Sequence, residues 1–154
     1  MLKLIKCEFL KLKRKKFIPL IILAAFLFPI PLTYLMTTPS MMERYTDQAD
    51  AFDGLFNMVL GYGIQFLLPC IIGVIAATLF FMERDNDTFK NLRTIPVTST
   101  QMVLAKIIVL FLFGIVFCVA STIATILCGF GTLEVYGIGY KLFLAVETGI
   151  FITA

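Results

Sequence analysis

Residues 54–82 read GLFNMVLGYGIQFLLPCIIGVIAATLFFM, 29 positions without one charged side chain. About 20 apolar residues in a helix cross the roughly 30 Å of hydrocarbon in a bilayer, so this run is long enough to span. Lipid offers the backbone no hydrogen-bonding partner, and a helix lets one segment satisfy its own N–H and C=O groups. Reading this stretch as a membrane-crossing helix decides the fold, because the rest of the chain repeats its pattern.

A second uncharged run covers 107–133 and a third covers 17–42, while the segment 142–154 is apolar apart from Glu147. Of the 154 residues, 60% are hydrophobic and 15% charged, with no His and no Trp. Soluble domains average about 45–50% apolar and about 25% charged residues. The apolar excess lies in blocks rather than at core-like periods. The expected fold class is therefore all-α, a polytopic transmembrane helix bundle with an N-terminal interfacial amphipathic helix. Its expected segments are 1–16, a basic interfacial helix; 17–42, span one; 43–53, a polar loop; 54–82, span two; 83–106, a charged segment; 107–133, span three; 134–141, a turn; and 142–154, the start of span four. Span four, at 13 residues, is too short to cross, so the chain reads as the front part of a longer protein.

The first 16 residues, MLKLIKCEFLKLKRKK, hold seven Lys or Arg and one Glu. Leu2, Ile5, Phe9 and Leu12 recur at helical steps, so the segment is expected to lie in the interface, apolar side in lipid and ammonium groups among headgroups. The long apolar run that follows, with no small-residue cleavage site, argues for a retained first span over a signal peptide. Pro29 and Pro31 should kink it. Basic residues set orientation: seven precede span one, and Arg84, Lys90, Arg93 and Lys106 lie between spans two and three, against Arg44 and Lys141 in the other two connections. The N-terminus and 83–106 are thus expected in the cytosol of a multi-pass cell-membrane protein.

No catalytic set, metal site or cofactor motif is legible. There is no G-x-x-x-x-G-K-[ST] phosphate loop, no CxxC pair and no His to share a metal with Cys7, Cys70, Cys118 or Cys128. The cysteines read as small hydrophobes, and the basic cluster is explained by lipid and topology rather than by nucleic acid. Asn57, Gln65 and Thr78, with Ser121, Thr122 and Thr125, are expected to bond neighbouring helices. Gly73 with Ala77, and Ala120 with Ala124 and Cys128, stand four apart, a step at which small residues let helices approach closely. Glu147 is an intramembrane acid, either functional or reaching an interface or Lys141.

The segment 82–106, MERDNDTFKNLRTIPVTSTQMVLAK, carries the functional signal. Asp85 or Asp87 suits a helix N-terminus, where free N–H groups and the dipole favour an acid. Phe89, Leu92 and Ile95 make one short apolar face, Lys90 and Arg93 fall toward the C-terminal end, and Pro96 stops the helix. Thr98 and Gln101 then match a capping box leading into span three. Phe89 and Leu92 would each gain ~1.5–3 kcal/mol on burial, so they want a protein groove or a lipid interface.

This segment resembles the cytosolic signature of ABC-2 type permeases, through Glu83, Thr88, Phe89, Leu92, Pro96, Thr98, Ser99 and Lys106. The basic LIKCEFLKLKRKK helix is a second similarity. Where many family members carry Gly before the Thr, this chain has Asp87, and NDTFKNL is more similar to the bacitracin-resistance and lantibiotic-immunity branch. The resemblance implies a six-span permease subunit of an ATP-driven exporter that lacks an ATPase site of its own. It also implies a coupling helix of Glu83, Asp87, Thr88, Phe89, Leu92, Arg93 and Pro96 docked on a separate ABC ATP-binding subunit. A second permease subunit or homodimer and membrane lipids complete the implied partners, with no cofactor. The alternatives are a membrane anchoring or assembly protein that docks a partner through 83–106, and an ion-gradient carrier, for which Glu147 is thin support.

Overall fold

The computed structural model describes residues 2–13, 17–85, 99–130 and 133–154. The described elements are helical, and no strand occurs among the described residues. They are α1 (Leu2–Lys13), α2 (Phe17–Leu27), α3 (Pro29–Met36), α4 (Pro39–Met42), α5 (Gln48–Met58), a π-helical segment (Val59–Leu67), α6 (Leu68–Asp85), α7 (Ser99–Gly129) and α8 (Ile138–Thr153). The chain is an all-α helix bundle. Two helices are long and apolar enough to cross a membrane, the 34 residues Gln48–Phe81 and the 30 residues Thr100–Gly129. The first apolar run forms two shorter helices broken at Phe28, directly before Pro29, whose ring and missing N–H disfavour an unbroken helix there.

Helix α7 is the central post, packing against α1, α2, α3, α6 and α8. One core joins Ile21, Leu60, Ile64, Leu68 and Ile75 to Val109, Phe113 and Phe117. A smaller core, nearer the C-terminal end of α7, gathers Met36, Phe52, Leu55 and Ile126. Lipid is as apolar as a leucine, so helices in it associate through shape and close approach rather than through burial from water. The α7–α8 seam follows that rule. A β-carbon on Gly149 would overlap the sulfur of Cys118, and one on Gly114 would press on Thr153. Ala120 and Ala124 are buried on the same post.

One expectation is extended and two are corrected. Helix α1 does not merely lie on lipid: it packs on α7, with Ile5 against the core, Glu8 buried, and the Phe9 ring 6.1 Å from that of Phe113. Phe9 and Leu10 remain exposed beside that contact, so α1 keeps an apolar side for lipid as well. Asn57 and Gln65 do not bond neighbouring helices but are exposed, as are Gly73 and Ala77. The Thr78, Thr122 and Thr125 hydroxyls donate to carbonyls of their own helix (Ile75, Cys118 and Ser121, each at 2.8 Å), because an i−3 or i−4 carbonyl is closer than any neighbour. The Ser121 hydroxyl is buried and has no partner.

The helix that the uncharged run starts at Gly54 in fact starts at Gln48, after an extended Asp47, and draws Asp50 and Asp53 into its first turns. Asp50, in the first turn, complements the exposed N–H groups of the helix start. Likewise α8 starts at Ile138 rather than Leu142, so Lys141 belongs to the helix.

The rod from α5 to α6 has one irregularity, the nine π-helical residues Val59–Leu67. Leu68 closes that segment by donating its N–H to the Gly63 carbonyl, five residues back. Pro69 follows at once and cannot donate to the Gln65 carbonyl, which removes one α-helical bond at this point. The wider winding has a packing result. Phe52, Phe56, Leu60, Ile64, Leu68, Ile75 and Leu79 are all buried, and the first five repeat at a step of four. In an α-helix each four-residue step drifts about 40° around the axis. Over the interval from Phe52 to Leu79, pure α winding gives about seven and a half turns and sets the two ends on opposite faces. A π segment, at about 4.4 residues per turn, brings the total close to seven and keeps the stripe on one face.

Candidate functional site

Each end of the rod is held by a buried lysine from another helix. At the α5 end, Lys141 of α8 is only 5% exposed. Its ammonium lies 2.5 Å from Oδ1 of Asp53 and donates to the Tyr136 carbonyl at 3.2 Å. Three rings surround it, with centroids 4.0 Å away for Tyr136, 4.2 Å for Phe52 and 5.9 Å for Phe56. The Tyr136 hydroxyl donates to the other Asp53 oxygen, which pushes that phenol above its ordinary range, since ionising it would set two negative charges together.

Local structure positions the cage. Phe52, Asp53 and Phe56 occupy neighbouring turns of α5. The chain reverses at Gly137, whose φ of 64° is a left-handed conformation that suits a residue without a β-carbon. The Gly137 carbonyl then accepts the Lys141 N–H at 3.0 Å, opening α8 with the lysine aimed back at α5. A buried ammonium is tolerated when an anion, hydrogen-bond acceptors and ring faces replace its water. All three are present here.

At the α6 end, Lys106 of α7 is 3% exposed. Its ammonium donates to the Leu79 carbonyl at 3.3 Å and lies 4.6 Å from the centre of the Phe80 ring. A carbonyl within a helix keeps a second lone pair free, so Leu79 can accept this bond beside its own helical one. Lys106 thereby ties α6 to α7.

Of the residues singled out from sequence, Asp87, Thr88, Phe89, Leu92, Arg93, Pro96 and Thr98 lie outside the described residues. Glu83 belongs to the last turn of α6, its side chain outside the description, and Gln101 is exposed in the first turn of α7. Glu147 is exposed on α8 and is not the partner of Lys141; that place belongs to Asp53. Sequence reasoning missed the Asp53–Lys141 pair because 88 positions separate the two. The signal that could have found it is a lysine beside an apolar run, when the only nearby acid on its own helix, Glu147, is six residues and well over one turn away.

Nothing in either lysine site is arranged as nucleophile and base, and no group of three metal-ligating side chains occurs among the described residues. What both sites do is join helices. Residues 4–154 match the family model described as ABC-2 family transporter protein. No curated protein and no solved structure matches the chain. With nearly the whole chain matched, on an all-α bundle holding two helices of membrane-crossing length, the chain belongs to the ABC-2 family of transporter proteins, membrane permease subunits of ABC transporters.

Proposed function

We propose that this permease subunit works in an exporter that confers resistance or immunity to antibiotic peptides of the bacitracin or lantibiotic kind. The observation that carries the transport reading is the family match across residues 4–154. The antibiotic-peptide branch rests on the NDTFKNL stretch, residues 86–92. In this reading the Lys106 end of the bundle faces the cytosol, the Lys141 end faces outward, and the protein crosses the membrane several times. ATP is bound and hydrolysed by a separate ABC subunit, which grips Phe89 and Leu92 while the mixed charges of Glu83, Asp87 and Arg93 fix its register. Lys106 supports that arrangement, since a partner's push on 83–106 reaches α6 and α7 together when their ends are tied. A second permease copy or subunit completes the transporter.

The experiment is co-purification from membranes of a cell carrying the chain with its neighbouring ATPase. Phe89→Asp should abolish recovery of the ATPase and lower peptide resistance to that of a deletion strain, while the permease still reaches the membrane. Retained ATPase and resistance would refute the coupling role. Intact resistance in a deletion strain would refute the substrate class alone. Labelling of a cysteine placed at Asn91 by an impermeant reagent in intact cells would overturn the orientation.

A further inference from the structure

The two lysine clamps and the π segment lie on one rod. Asp53, Phe52 and Phe56 hold Lys141 at one end, the Leu79 carbonyl and Phe80 hold Lys106 at the other, and Val59–Leu67 lies between. A π-helix of this length is unusual, since most are single-turn bulges inside α-helices. Its residues Val59, Leu60, Gly63 and Ile64 are buried in the bundle, and the rod is held at both ends. The stripe from Phe52 to Leu79 stays on the bundle face only with the wider winding, and each clamp needs its own end of that stripe turned inward.

We propose that Val59–Leu67 is a torsion joint, held under-wound by the two lysine clamps, which converts toward α-helix when either clamp opens. Conversion of nine residues turns one half of the rod against the other by nearly half a turn, taking π winding at about 4.4 residues per turn against 3.6. The half that turns is the half whose lysine has let go. A β-carbon at Gly61 would meet nothing within 4 Å, so Gly61 leaves room for rewinding, while Gly63 lies against the Phe28 ring, which must shift as the segment turns. Tyr62 and Phe66 are 63% and 71% exposed, so the segment is not locked by its own aromatic side chains. The device is a property of this chain alone and does not depend on what is transported or on which ATPase binds.

The test is nitroxide scanning of the full chain in lipid nanodiscs, reading oxygen accessibility at positions 51 and 55 on α5 and at 75 and 79 on α6. All four are buried in the clamped state, at 2% exposure or less. Lys141→Ala should raise accessibility several-fold at 51 and 55 and leave 75 and 79 low. Lys106→Ala should give the mirror pattern, 75 and 79 rising while 51 and 55 stay low, so either variant alone tests the joint if the other does not fold. A rise at all four positions together in a folded variant, or at none, overturns the proposal: the first is general loosening, the second a rigid rod.

Discussion

The Asp53–Lys141 pair is asymmetric, and the asymmetry fixes the sign of a double-mutant cycle. The lysine side chain is 6% exposed and the aspartate side chain 42%. Asp53→Asn leaves an ammonium in the cage with the Tyr136 carbonyl and three ring faces but no anion. Breaking a fully buried pair costs about 3–5 kcal/mol, and exposed pairs contribute about 0.2–1 kcal/mol, so a pair with one buried partner should lose about 2 kcal/mol. Lys141→Met instead leaves a carboxylate that already reaches solvent and keeps the Tyr136 hydroxyl, while the thioether fills the space among the rings at under about 1 kcal/mol. The double variant removes the orphaned charge and should recover most of the Asp53→Asn loss. Reversible unfolding of the purified full chain in mixed micelles, followed by circular dichroism against detergent composition, measures all three. If Lys141→Met costs as much as Asp53→Asn, or if the two losses simply add, the ammonium is not buried as described.

Other expectations follow from single contacts. Gly149→Ala should destabilise the α7–α8 seam by about 1–3 kcal/mol through overlap with Cys118, and Cys118→Ala in the same chain should restore most of it in the same unfolding assay. The Tyr136 phenol is raised by Asp53, so its bond to that carboxylate is fully present below the ordinary tyrosine range and is lost only as pH rises through the higher folded value. Wild type and Tyr136→Phe should therefore differ in stability at neutral pH and converge at strongly alkaline pH. Cys118 is buried and Cys7 is exposed on the basic N-terminal helix, so a membrane-permeant maleimide should label Cys7 in the folded chain and Cys118 only after unfolding; early labelling of Cys118 would contradict the seam.

The helices were legible because their cause is local. Uncharged blocks at 54–82 and 107–133 leave a chain in lipid one way to satisfy its backbone, and helices of crossing length cover both. Boundaries were less legible. Asp50 and Asp53 read as loop by charge, yet the helix that contains them starts at Gln48. The partners of polar side chains were least legible, since Asp53 meets Lys141 only when α5 and α8 are brought side by side. The π segment had a trace in the sequence: apolar residues at 52, 56, 60, 64 and 68 recur every four positions, a repeat that drifts about 40° per step around an α-helix. The residues that carry the family resemblance between Asp87 and Thr98 lie outside the described residues.

The caged lysine also orders events at synthesis. Phe52, Asp53 and Phe56 leave the ribosome more than eighty residues before Lys141, so the receptacle is built first. A nascent α8 arriving with a charged side chain meets a waiting anion and ring faces instead of bare hydrocarbon. Damage to α5 should then surface as failed insertion of α8.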